Sequence, residues 1–327
     1  MPIFDLVAVG DATKDVFVEI EEASVSCTLH TDACLLCLNY ADKIPVKNVT
    51  QIPAAGNAAN AAVGTARLGH KTALVTTLGN DSDGRDLAEA LKRDGVSSQY
   101  TTIDKKHGTN YSTVLNFKGE RTILVYHQPR TYVFPKKFPN TKWVYYTSIG
   151  KKHEAYERML LAWLKAHPNT KLLFQPGTHQ LRRGLTSLLP VMKRSSVFVV
   201  NKEEAQVLLG DGDDVTKLLI ALHNKGPEYV VITDGANGSW GYHHGEIWKL
   251  PMFPGKAKER TGAGDAFATG LVNALIAGKP LDEAMRWGTA NSRGVVLQVG
   301  PQAGLLTAAQ MKTDLKKFAR ITPRRIS

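Results

Sequence analysis

Arg260-Thr261-Gly262-Ala263-Gly264-Asp265-Ala266-Phe267-Ala268-Thr269-Gly270-Leu271 is the segment of this chain best suited to chemistry. Gly262 and Gly264 leave the backbone bare where a helix opens. The run of Ala, Gly, Leu, Val and Phe that follows reads as a buried helix to Gly278, with Pro280 as its stop. Unpaired N–H groups in a first helical turn, reinforced by the helix dipole, make a site for an anion. Asp265 stands in the same turn, and two readings of it are open. It is either an N-terminal charge that stabilises the helix by ~0.3–1 kcal/mol, or a proton acceptor beside a phosphate pocket. Phosphoryl transfer to a hydroxyl requires both of those parts.

Such a turn needs a scaffold, and the chain has the pattern of one. Apolar β-rich runs at Ile3–Val9, Thr72–Thr76, Trp143–Tyr146, Leu172–Phe174, Val197–Val200 and Tyr229–Thr233 alternate with helical segments. Those segments are Asn57–Leu68, Asp83–Arg93, Glu154–Ala166 and one from Lys202. This alternation predicts an α/β fold with a mainly parallel sheet covered by helices on both faces, and ligands at the carboxyl ends of its strands. Asp15–Glu21, Cys34–Asn39, Tyr100–Ile103, Tyr111–Asn116 and Arg121–His127 read as strands without intervening helices, with Lys118-Gly119 at a hairpin turn. Inserted at roughly 12–50 and 98–130, they predict a small β-sheet lid within a single domain over 1–327. The lid also offers a homodimer surface.

The chain has 327 residues, 43% hydrophobic and 22% charged, which suits a globular protein. No run approaches the ~18–20 apolar residues of a membrane helix, and the start, MPIFDLVAVG, lacks the form of a signal peptide. Both favour the cytoplasm. Of the net charge of +11, part lies in Lys312, Lys316, Lys317, Arg320, Arg324 and Arg325. Without aromatic interleaving these read as a solvated helix and tail, not as a nucleic-acid arm. Cys27, His30, Cys34 and Cys37 have the residue types of a zinc site, but the gap from His30 to Cys34 is short for one. Three cysteines argue against a disulfide framework. A P-loop is excluded at Gly64 to Thr72, because His70 interrupts its Gly-Lys pair and the segment leads from helix to strand.

Thr261-Gly262-Ala263-Gly264-Asp265-Ala266-Phe267 resembles the C-terminal signature of the PfkB/ribokinase family of carbohydrate kinases. Gly56-Asn57-Ala58-Ala59-Asn60-Ala61-Ala62 resembles its N-terminal signature, in the right order and at the right separation. The resemblance implies a ribokinase-like, doubly wound α/β fold with a β lid, and transfer of the ATP γ-phosphate to a sugar hydroxyl with Mg²⁺. By that resemblance Asp265 is the base, and the amides of Gly262, Ala263 and Gly264 form the anion hole. Asp15, with Asp11, Gly56, Asn57 and Asn60, binds the acceptor. Thr261, Asn201, Thr233, Gly235 and Asn291 border the nucleotide, and Gln175-Pro176-Gly177 borders the transferred phosphate. Asn201-Lys202-Glu203-Glu204 resembles the family motif that organises Mg²⁺ and its waters, with Asn201 and Glu204 in the metal roles. Read from its residues alone, the same segment is a helix capping box. Thr233-Asp234-Gly235 alone is a hairpin turn, and Asp11 alone a turn cap.

One departure bears on a cofactor. Glu259-Arg260 stands where the family has an Asp that helps bind a monovalent cation. A K⁺ site is therefore open, and Arg260 offers a fixed charge in its place. The other acceptor class on this fold is the nucleoside, for which Tyr111, Phe117, Tyr126 and His127 offer stacking surfaces. A non-catalytic ligand-binding regulator is the reading from a different class, and the intact Asp265 turn argues against it.

Overall fold

A computed structural model describes residues 3–27, 34–210 and 212–326. Its central sheet has nine strands. In spatial order they are Arg324–Arg325, Glu246–Leu250, Ser239–His243, Tyr229–Thr233, Val197–Asn201, Lys171–Phe174, Thr141–Tyr146, Phe4–Val9 and Thr72–Val75. From Tyr229–Thr233 to Thr72–Val75 every neighbouring pair is parallel. The three strands at the other edge pair antiparallel.

The period of two along each strand divides the core. Leu6 and Ala8 join one buried cluster, with Ala62 of the helix Asn57–Arg67 and Leu271 of the helix Ala263–Ile276. Val7 and Val9 join the cluster on the opposite face, with Leu160 and Leu164 of Glu154–Ala166 and Val191 of Leu185–Arg194. Parallel strands buried on both faces need continuous apolar runs, which is why they were legible.

The second sheet is ordered Glu120–Tyr126, Asn110–Phe117, Thr13–Ile20, Val46–Ala55. Lys118 and Gly119, at φ 50° and 86°, make the expected hairpin turn. Three expectations for this sheet need correction. Its fourth strand is Val46–Ala55, which sequence reasoning missed because Pro53 and mixed polarity hide the alternation. Cys34–Cys37 instead pairs with Ser24–Cys27 in a separate exposed hairpin. Thr102–Asp104 pairs with Thr77–Gly79, away from this sheet.

The exposed hairpin also corrects the cysteine reading. Cys27 and Cys34 face each other across its strands and form a disulfide, leaving Cys37 free. His30 lies outside the described residues, and among the described residues no three or more His, Cys, Asp or Glu side chains gather closely enough to hold a metal ion by themselves. The basic C-terminus docks as helix Ala308–Lys317 and an edge strand on which Arg325 pairs with Glu246 at 2.8 Å. Among the described residues no helix is long and apolar enough to cross a membrane.

Candidate active site

The helix Ala263–Ile276 starts from Gly262, which sits at φ 77° in the left-handed region. Glycine is required there twice over. A Cβ would be strained in that backbone, and it would lie 2.4 Å from Pro301 Cβ. The turn also tightens on itself, because Ala263 N donates to the Arg260 carbonyl at 3.2 Å. This corrects the expected anion hole. The Ala263 amide is engaged, and the amides without a partner among the described residues are those of Gly262, Gly264 and Asp265. Thr261 Oγ1 is buried beside them without a partner. Gln175 completes the rim. Its Oε1 accepts from the buried Tyr145 hydroxyl, which turns Nε2 toward Gly264.

Asp265 is 8% exposed and receives Asn60 Nδ2 at 2.9 Å. Burial pushes its carboxyl up to about 6, against the Asn60 hydrogen bond, which holds it down. Asn60 is itself oriented, since its Oδ1 accepts from Gln302 Nε2 at 3.0 Å. Gln302 also donates to the Ala54 carbonyl. The two signature helices are further tied where Asn273 Nδ2 donates to Thr65 Oγ1 at 3.0 Å. Residues more than two hundred positions apart thus form one unit, as the two signatures implied.

The strand Thr13–Ile20 brings the second carboxylate. Asp15 is 7% exposed, and burial followed by the charges of Asp265 and Glu259 raises it to about 6, against hydrogen bonds from Ser112 and Thr13. Gly56, at φ 93°, packs so closely that a Cβ would lie 3.0 Å from the Asp11 carbonyl. Asn57 follows it as the first residue of its helix. Asp11 itself is a correction. Both its oxygens accept from Tyr132 Oη, at 2.8 and 3.1 Å, and Oδ2 accepts from Gly150 N at 2.9 Å. Its carboxylate clamps the segment returning from the small sheet, whereas Asp15 Oδ1 is buried without a partner.

On the other side of the turn, Asn201 and Glu204 form the capping box that their residues predict. Glu204 N donates to Asn201 Oδ1 at 2.7 Å, and Asn201 N to Glu204 Oε2 at 2.9 Å. Burial and the charge of Asp265 raise the Glu204 carboxyl, although the Asn201 amide opposes this. Thr233 ends its strand, and beside Gly235 there is open space. Asn291 is fully buried, its Nδ2 donates to the Ala266 carbonyl at 2.8 Å, and its Oδ1 accepts from Leu306 N at 2.9 Å. Its side chain therefore braces the helix that carries Asp265. Arg260 does not stand in for a cation. It is exposed opposite Glu120 of the small sheet at 3.7 Å. Glu259, 3% exposed, takes Thr261 N at 2.5 Å and Gly300 N at 3.4 Å.

The profile of the pfkB family carbohydrate kinases matches residues 21–308. This chain belongs to that family. The chain is 28% identical to the ribokinase of Haemophilus influenzae over 79% of its length and 85% of the relative's. It is 25% identical to a 5-dehydro-2-deoxygluconokinase of Shouchella clausii over 79% and 84%. Arabidopsis thaliana ribokinase, solved with ribose and ATP, superposes with TM-score 0.79 at 21% identity, over 96% of this chain and 99% of that one. A nucleoside kinase of Methanocaldococcus jannaschii superposes at 0.77, also at 21% identity and over 96% and 99%. These two show the ribokinase fold. As a pfkB-family carbohydrate kinase the chain is an ATP-dependent phosphotransferase acting on a sugar-class alcohol.

Proposed function

We propose that this kinase moves the γ-phosphate of ATP to a hydroxyl of a small sugar, with Asp265 as the base. The observation that carries this reading is the Asn60–Asp265 hydrogen bond, which joins a buried carboxylate to the acceptor segment beside unclaimed amides. Asp265 takes the hydroxyl proton as that oxygen bonds to the γ-phosphorus, and the bond to the leaving ADP oxygen breaks. The amides of Gly262, Gly264 and Asp265, with Thr261 Oγ1 and Gln175 Nε2, hold the equatorial oxygens of the migrating group. Thr233, Gly235 and Asn201 border the nucleotide. ATP consumption makes the cytoplasm the proposed compartment. The exposed strand Glu120–Tyr126, with Leu124, Val125 and Tyr126, is the proposed homodimer edge.

Mg²⁺ fits the donor set. Asp15 and the half-buried Glu204 each lie within electrostatic reach of the buried Asp265, and Glu204 Oε1 has no partner among the described residues. Glu204, largely through water, with Asn201 beside it, would hold the ion, which neutralises phosphate charge when bound.

The sugar is favoured over the nucleoside by what the small sheet turns inward. Asn110 and Ser112 face in at the Asp15 end, where stacking a base would require an aromatic ring, while Tyr126 is 58% exposed. A coupled ADP-release screen over ribose, fructose, 2-keto-3-deoxygluconate, adenosine and cytidine tests this. Turnover of nucleosides alone would overturn it.

Two expected outcomes follow from the site. Asp265 is a base only when ionised, and its carboxyl lies at about 6. Activity therefore falls with acidification: kcat/KM should be flat above that pH and drop about tenfold per unit below it, as read from a pH–rate profile. Secondly, the Thr261 and Gly300 amides already brace Glu259, the position at which the family resemblance implies a monovalent cation. Replacing NaCl by KCl at constant ionic strength should leave kcat within about twofold.

A further inference from the structure

Beside Asp15 the small sheet carries polar side chains whose contacts the reaction above leaves unassigned. Along Asn110–Phe117, Asn110, Ser112 and Val114 are buried, while Tyr111, Thr113 and Leu115 are half-buried on the other side. The strand Thr13–Ile20 lies parallel in register, Thr13 opposite Asn110 and Asp15 opposite Ser112. Registered neighbours share a face, so Thr13, Asp15, Asn110 and Ser112 form one polar quartet. Thr13 Oγ1 lies 3.4 Å from Ser112 Oγ.

Two atoms of that quartet are sealed from solvent without a partner, Asp15 Oδ1 and Asn110 Nδ2. One accepts and the other donates. An unpaired buried polar group costs about 1–3 kcal/mol, and folded proteins keep few of them. The Asn110 amide is not free to turn and find a partner. Its Oδ1 accepts from Gln128 N at 3.0 Å, which leaves the NH₂ as the unfilled end. The preceding residue is gripped as well, because Asp81 accepts from Thr109 N at 2.7 Å and from Thr109 Oγ1 at 2.6 Å. The quartet lies against the start of the helix that carries Asn60, since a Cβ on Gly56 would lie 3.2 Å from Thr13 Cγ2.

We infer that Asn110 is an acceptor-binding residue which, with Asp15, selects substrates carrying neighbouring hydroxyls. This deepens the sugar-kinase reading and rests on it. One hydroxyl donates to Asp15 Oδ1 and its neighbour accepts from Asn110 Nδ2. A hydroxyl can serve either atom. An acceptor that lacks either hydroxyl leaves a buried group unpaired, which is the strongest form of discrimination a polar site offers.

The test uses the full chain and the sugar that the ADP-release screen selects, together with its monodeoxy analogues. Asn110→Ala should lower kcat/KM for the parent sugar by about 10–100-fold, mostly through the sugar KM, with the KM for ATP unchanged. Against one monodeoxy analogue, wild type and Asn110→Ala should be equal, because the contact is already missing. If Asn110→Ala does not fold by thermal melting, Asn110→Ser, which keeps a shorter donor, carries the same comparison. Equal loss against the parent and every analogue, or no loss at all, overturns the assignment of Asn110 while the kinase reading stands. Absence of ADP release with every sugar overturns the kinase reading, and the inference with it.

Discussion

Asp265→Asn should lower kcat by about a thousandfold, within the 10²–10⁴ range of general-base contributions, while ATP still binds. The substitution is close to isosteric. The Asn oxygen can keep the hydrogen bond from Asn60 Nδ2, so the two signature helices stay joined. What disappears is the capacity to take a proton. Stability should move the other way. In the fold the carboxyl lies at about 6 against an ordinary value of 3.8, because burial disfavours its charge. A carboxyl raised on folding makes the folded state the better proton binder, so its ionisation lowers stability as pH rises from 3.8 to about 6. The variant lacks that penalty. It should melt higher than wild type at pH 8 by an amount corresponding to ~1–3 kcal/mol, and the difference should close by about pH 3, where the carboxyl is protonated in the folded and unfolded states alike. Steady-state kinetics, ATP binding and melting at two pH values check the three parts. A variant that keeps more than about a tenth of the wild-type rate would remove Asp265 from the base role.

The legible parts of this chain are those in which one physical rule acts alone. Phe4–Val9, Val197–Asn201 and Tyr229–Thr233 are buried on both faces, so their runs of Val and Ile leave no competing reading. The small sheet is different. Its strands have one inner face, and in Val46–Ala55 the pattern is broken by Pro53 and by exposed Val46 and Val49. Spacing placed Gly262, Gly264 and Asp265 correctly at a helix start, but it could not say which amides the turn itself uses. The Ala263–Arg260 bond is a property of the folded turn. The engagement of Asp11 is hidden for a similar reason, since its partners Tyr132 and Gly150 are far away in sequence. Asn110 had a signal that went unused. An Asn at the buried end of a strand is a polar group that must find a partner.

Gly262→Ala should lower both stability and turnover, and for the same mechanical reason. The residue sits at φ 77°, where a Cβ costs about 1–2 kcal/mol. The added methyl would also lie 2.4 Å from Pro301 Cβ and 2.8 Å from Pro301 Cα, an overlap that must move the backbone of one segment or the other. Such overpacking adds about 1–3 kcal/mol. If the turn yields, the amides of Gly262, Gly264 and Asp265 lose their common aim. If Pro301 yields, it drags the next residue, Gln302, whose side chain orients Asn60 and through it Asp265. Either displacement reaches the reacting groups, and misplacement by about 1 Å is worth about a hundredfold in rate. The expected result is a melting temperature several degrees lower and kcat down about a hundredfold. Pro301→Gly in the same chain removes the closest clashing atom, so the double variant should recover part of both losses, whereas Pro301→Gly alone gains nothing. A Gly262→Ala enzyme with wild-type kcat would show that the turn tolerates a side chain, and that its amides are not what holds the migrating phosphoryl group.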